Sequence, residues 1–151
     1  MRSIIKIKLL IIIFTFFFGL HLAIAEVPRP HVPRLSAKAA MTLVKQGVKY
    51  VIIDSATFGS NHVCGAIFIS YTWVPPWSKK PKIKVRIPKN YYIFVYWTWP
   101  SEEDSTRVAE FFIKKGYKAF AIRHGLKAMK KAGFPVCPGL LYDIYMKKKK
   151  P

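Results

Sequence analysis

The sequence predicts a single α/β domain: a mostly parallel sheet of about five strands with helices on both faces. Two observations carry this. Short, almost continuous apolar runs recur at residues 49–54, 65–70, 91–96 and 119–122. Such runs suit strands covered on both sides, as in a parallel sheet. Between several of them lie segments whose apolar residues recur at helical spacing, the alternation of a doubly wound domain. Composition agrees: 52% of the 151 residues are hydrophobic and charge is dispersed, unlike a disordered chain. A chain of this length buries a core without help from disulfides. No internal repeat is visible.

Residues 1–25 read as a secretory signal peptide. Arg2, Lys6 and Lys8 precede an apolar stretch from Leu9 to Leu20, and Ala23-Ile24-Ala25 fits a cleavage site. The alternative is an uncleaved membrane anchor, but the apolar run on to Ala25 carries His21 and is short against the ~20 residues of a bilayer span. The expected location is therefore the periplasm or the exterior. Residues 26–33 form an extended lead-in with Pro28, Pro30 and Pro33. The domain proper is expected over 34–137, and a basic tail over 138–151.

Within the domain, Leu35-Ser36 ends a short first strand. Ser36 then suits the N-cap of an Ala-rich helix that Gly47 stops. Lys49–Asp54 is the first long strand, Gly65–Ser70 the next. Tyr71–Lys80 holds Pro75-Pro76 between Trp73 and Trp77, which predicts a loop or a broken helix. Lys82–Ile87 alternates basic and apolar side chains and predicts an edge strand with one wet face. Tyr91–Tyr96 is a third buried strand. Ser101 is expected to cap a helix starting near Glu102, with Asp104 completing an approximate capping box. Val108, Phe111 and Phe112 continue that helix, and Gly116 ends it. Ala119–Ile122 is the closing strand. A last helix runs from Gly125 to Lys131, and Gly133-Phe134-Pro135 stops it. Leu140–Met146 reads as a helical turn or an adhering segment, before the charge run Lys147–Lys150.

Lys and Arg number 26 against 7 Asp and Glu, a net charge of +19. Losing the first 25 residues removes only Arg2, Lys6 and Lys8 from that excess. Such charge favours anionic partners. For an exported chain, nucleic acid is not expected. An anionic envelope polymer or membrane surface, met through Lys79, Lys80, Lys82, Lys84 and Lys147, is the partner reading. A solvated basic surface without a partner is the alternative. Trp73, Trp77, Trp97 and Trp99 with Tyr71, Tyr91, Tyr92 and Tyr96 serve either an interfacial contact or ordinary packing. No His, Cys or carboxylate spacing suits a metal, and no cofactor is expected. The two cysteines, Cys64 and Cys137, pair in an oxidising compartment or stay as free thiols.

Several motifs occur in a telling order. Pro33-Arg34-Leu35-Ser36 precedes the Ala-rich helix, and Val51-Ile52-Ile53-Asp54 ends a central strand in Asp. His62-Val63-Cys64-Gly65-Ala66-Ile67 follows. Ile93 to Tyr96 leads to Pro100, Glu102, Ser105, Arg107 and Ala109. Gly116-Tyr117, Ala121 to Met129 and Lys131 to Val136 close the series. Over about residues 33–136 this order resembles the rhodanese-like (sulfurtransferase) domain. The resemblance makes Asp54, His62, Gly65 and Arg107 family-motif positions. It makes Trp97, Thr98, Trp99, Pro100, Ser101 and Glu102 a loop that wraps a sulfur anion at a helix N-terminus. It also brings the turn at Cys64 and the end of the last helix to one end of the sheet, within reach of a disulfide.

The family carries a persulfide on a cysteine at the position of Trp97. An indole offers no thiolate, so the chemistry lacks its nucleophile. The side chain is expected either to fill the pocket or to be pushed out of it. Ala56 stands where the family usually has Arg, Cys64 where it has Pro, and His124 where it prefers Gly. His62 is expected to bond backbone, and His124 to lie on the surface near the loop. The expectation is a non-catalytic binding or scaffold protein with no catalytic residue. The alternative is a thiosulfate sulfurtransferase-type enzyme, which requires cysteine or selenocysteine at 97 or another thiol in its place.

Overall fold

The structure, a computed structural model, describes residues 29, 31–81, 83, 85–98 and 102–147. The expected signal peptide and most of the lead-in lie outside these residues. The strands are β1 (Arg34–Leu35), β2 (Tyr50–Asp54), β3 (Asn61–Val63), β4 (Ile67–Phe68), β5 (Tyr92–Tyr96), β6 (Lys118–Ile122) and β7 (Val136–Pro138). The helices are α1 (Ala37–Lys45), α2 (Glu103–Lys114), α3 (Gly125–Lys131) and α4 (Leu141–Lys147). Five strands form one sheet in the order β1-β6-β5-β2-β4, and every neighbour pair is parallel. This is the predicted α/β architecture.

The central strands read apolar at nearly every residue because successive side chains point to opposite faces and both faces are covered. Ile53, Ile93, Val95, Ala119 and Ala121 pack on one side with Val108, Ala109 and Phe112 of α2. Ile52, Phe94, Tyr96 and Ile122 pack on the other with Ala37 and Ala40 of α1 and Met129 of α3. The α1 start is held by Ser36, whose Oγ accepts from the Ala39 amide at 3.1 Å. Its end is released by Gly47 at φ 80°, a left-handed stop suited to a residue without Cβ.

Two expectations change. Lys82–Ile87 is not an edge strand: none of its described residues is in a strand. Pro81 and Pro88 bracket it, and neither has an N–H to give a ladder. Its apolar side chains find separate partners instead, Ile87 buried in the core and Ile83 packed against it. The strand predicted over 65–70 shrinks to Ile67–Phe68, because Gly65 at φ 78° turns the chain first. The segment read as a helical turn or adhering segment is both: in α4, Tyr142 and Tyr145 set their rings against Phe68, and Tyr145 also meets Trp73.

A two-stranded antiparallel ribbon, β3 with β7, stands apart from the main sheet. His62 lies opposite Cys137 in its register. The Cys64 amide donates to Pro135 O, and a disulfide joins Cys64 to Cys137. Three-residue strands carry no periodicity to read, so this ribbon was not foreseen.

Candidate functional site

The site forms at the carboxyl end of the sheet, where β5 runs out at Tyr96 and α2 begins at Glu103. Trp97 is the first residue beyond β5. Its carbonyl accepts from the Leu126 amide at 3.2 Å, which docks the start of α3 onto the loop. Gly125 makes this docking possible. A Cβ there would lie 1.9 Å from the Trp97 carbonyl oxygen, and its φ is 57°. Thr98 Oγ1 donates to the Phe58 carbonyl, and the Phe58 ring meets Trp97 edge-on at 5.8 Å. Trp99, Pro100 and Ser101 lie outside the described residues.

Trp97 is half-buried and forms one wall of a cavity of about 320 Å³. Phe58, Tyr71, Trp77, Glu103, Asp104 and Arg107 line the rest. The ring thus neither fills the pocket nor leaves it. Its Nε1 is buried with no hydrogen-bond partner among the described residues. Arg107, one of the expected motif positions, points here as well. Its guanidinium bonds Glu103 Oε1 at 2.7 Å and lies over the rings of Tyr71 and Trp77 at 5.6 and 5.7 Å. Such placements are cation–π contacts.

The start of α2 corrects the predicted cap. Glu102, not Ser101, occupies the N-cap position, and its side chain makes no capping bond. Glu102 has a left-handed φ of 59°. Its carboxylate is used elsewhere: Oε1 accepts from the His124 amide at 3.1 Å, and Oε2 faces Arg34 Nε at 3.4 Å. One side chain therefore ties the helix start to β1 and to the start of α3. Glu103 and Asp104 place two more carboxylates in the first turn. They suit the helix dipole. They also put negative charge beside the place where the resembled family holds an anion.

Asp54 and Tyr96 lie beneath this surface. The Tyr96 hydroxyl donates to Asp54 Oδ2 at 2.6 Å and accepts from the Val63 amide at 2.9 Å. Asp54 Oδ1 accepts from the Ala56 amide at 2.9 Å. Burial raises the Asp54 carboxyl above its ordinary value, against the opposing pull of the Tyr96 and Ala56 bonds and the nearby His62. Burial also raises the Tyr96 hydroxyl, and the Asp54 charge adds to it. Neither residue lines the cavity. Their network braces the ends of β2, β5 and β3.

His62 is buried, with Nδ1 2.8 Å from the Gly139 carbonyl, in reach of a backbone acceptor. His124 has an exposed side chain and a φ of 62°, which explains why a glycine suits this position. Ala56 is fully buried. With Cys64 and Cys137 joined, the chain holds no free thiol.

The aromatic residues divide. Tyr71, Trp77 and Trp97 gather at the cavity with Phe58, which sequence reading missed because it sits in an irregular segment with no motif. Trp73 packs on Phe68, Tyr92 stacks on Phe120, Tyr91 packs against the core and Tyr96 is part of it. Lys79 and Lys80 are exposed; Lys82, Lys84 and the Lys147 side chain lie outside what is described.

No family model matches the chain, and no curated protein matches it. Solved structures do. A rhodanese-related protein from Thermoplasma volcanium is 15% identical with a TM-score of 0.51, covering 70% of this chain and 97% of its own. The rhodanese-like domain of an Anabaena protein is 18% identical with a TM-score of 0.51, covering 79% and 84%. A Rhodopseudomonas palustris protein of unknown function, described as a possible tyrosine phosphatase, is 20% identical with a TM-score of 0.52, covering 70% and 85%. At such identities the common property is the fold. The sheet order, the loop after β5 and these neighbours together show that the chain has the rhodanese-like fold.

Proposed function

We propose that this protein is an exported, non-catalytic rhodanese-like domain that binds a ligand or partner and performs no sulfur transfer. The observation that carries the reading is Trp97, which stands at the end of β5 as a cavity wall. It supplies bulk and an indole N–H where persulfide chemistry needs a thiolate. Glu103 and Asp104 add support: against Arg107, the cation in the lining, they leave an excess of negative charge that opposes an anionic donor such as thiosulfate. A substitute nucleophile from elsewhere in the chain has no source, because both cysteines are in the disulfide. That disulfide and the signal-like N-terminus favour an oxidising destination outside the cytoplasm.

The test is a thiosulfate:cyanide assay on the purified protein. The unaltered chain is expected to form no thiocyanate above the protein-free rate; turnover would overturn the non-catalytic reading. Sulfur uptake by Trp97→Cys as a protein persulfide, detected by mass, would show that the loop lacks only its nucleophile. Intact mass of the natural protein also reads residue 97 directly, and a mass matching Cys or selenocysteine there would restore the enzyme reading. Export is checked by the mature N-terminus, expected at Glu26.

A further inference from the structure

Basic side chains occur throughout this molecule, but most of the described acidic ones gather at one helix. Glu102, Glu103, Asp104 and Glu110 all belong to α2 or immediately precede it. The helices on the other face, α1 (Ala37–Lys45) and α3 (Gly125–Lys131), contain no acidic residue. Between those two helices lies a groove of about 460 Å³. Lys38, Lys45, Arg123 and Lys131 form its rim, and Met41 and Ala128 lie in its apolar floor. The four rim cations are exposed, and none makes an ion pair among the described residues.

The topology sets the spacing of these charges. β1 pairs in parallel with β6, Leu35 beside Ile122, so α1 and α3 leave the same edge of the sheet next to each other. Lys38 and Arg123 therefore mark one end of the groove, and Lys45 and Lys131 the other. Lys38 and Lys45 are seven residues apart, two helical turns and about 10 Å. A single carboxylate or phosphate satisfies one end only. A flat membrane meets the rim and leaves the apolar floor uncovered. A helix carrying carboxylates two turns apart, with an apolar side chain between them, satisfies both ends and covers the floor. Met41 adapts its shape to such an insert, and the small Ala128 permits close approach.

We infer that the groove between α1 and α3 docks an acidic amphipathic helix of a partner protein. The inference concerns a different surface from the Trp97 cavity and stands whatever the Trp97→Cys result. The probe is a fluorescein-labelled helical peptide of Glu, Leu and Ala with glutamates seven residues apart. A second peptide has Gln at those glutamates. Anisotropy is read against the full folded chain, and amide shifts map the contact. The glutamate peptide is expected to bind at least about tenfold tighter than the Gln peptide. Lys38→Glu with Lys131→Glu is expected to weaken it about tenfold or more. Lys79→Glu with Lys80→Glu, the same charge change in the loop before Pro81, is expected to leave it within about twofold. Shifts are expected in α1 and α3. Equal loss in the two double variants would mean attraction by net charge alone and would overturn the inference. So would an absence of peptide binding, or phosphatidylglycerol vesicles engaging Lys38 and Lys131 while the peptide does not. All four lysines are exposed, so thermal melts are expected to match and to exclude unfolding as the cause.

Discussion

Gly125 is the residue with least freedom to change. Its φ of 57° and the 1.9 Å approach of a notional Cβ to the Trp97 carbonyl oxygen act together. Gly125→Ala must push the site loop off the start of α3 or strain both, at a cost of about 2–4 kcal/mol. Thermal unfolding is expected to fall on the order of 10 °C, and an unchanged melt would contradict the close approach. Asp54 offers a second test at this scale. Its folded value lies above the ordinary 3.8, so the folded state holds the proton more tightly than the unfolded chain. The Asp54 contribution is therefore fully present below pH 3.8 and declines as pH rises from there through the raised value. Asp54→Asn is expected to lose this decline, read as the difference in melting temperature from the unaltered chain across pH. Tyr96→Phe leaves Asp54 Oδ2 and the Val63 amide without their partner and is expected to cost about 1–3 kcal/mol.

Among the elements, the β3–β7 ribbon depends most on a covalent link. An isolated ribbon of three-residue strands is marginal by itself. Here Cys64 and Cys137, 73 residues apart, close a long loop. The chain-entropy relation assigns such a closure about 4 kcal/mol. The replacement Cys64→Ser with Cys137→Ser is expected to lower the denaturant midpoint accordingly, and reductant is expected to do the same to the unaltered chain. Midpoints equal with and without reductant would show that the ribbon holds without the bond. The start of α2 depends on Glu102 in another way. Glu102→Gly relieves the left-handed backbone while Glu102→Ala does not, and both lose the ties to His124 and Arg34. The glycine variant is expected to be the more stable of the two by about 1 kcal/mol in denaturant titration.

On the scale of the whole molecule, basic charge is in large excess. A net charge of +19, or +16 without Arg2, Lys6 and Lys8, repels itself in the compact state. The partly buried pairs Arg107–Glu103 and Arg29–Glu110 are screened less by salt than the exposed lysines. Raising salt is therefore expected to stabilise the fold, by about 3 °C in melting temperature between low and near-molar sodium chloride. A fall in melting temperature would show that ion pairs outweigh the repulsion. The helices α1 and α3 hold no acidic residue of their own, and the carboxylate that reaches them, Glu102, is engaged by the His124 amide and Arg34.

Lys49–Asp54 and Tyr91–Tyr96 were readable as central strands because a strand buried on two faces is apolar through its middle, whatever its neighbours are. The Ala-rich α1 and the Gly125–Lys131 helix were readable from capping residues and spacing, which are local. Trp97 at the end of β5 was readable from the order of motifs. The helical or adhering course of 140–146 was readable too, though not its partner Phe68. The β3–β7 ribbon and the unpaired course of 82–87 were not, since each is decided by distant residues: Val136–Pro138 for Asn61–Val63, and the core cluster that takes in Ile87. The cavity around Trp97 belongs to the same class. Phe58, Tyr71, Trp77 and Arg107 come from three separate segments, and only folding brings their side chains together. Local sequence determines which backbone a segment prefers. Which side chains meet is determined by the burial of the sheet's two faces, and that is a property of the whole chain.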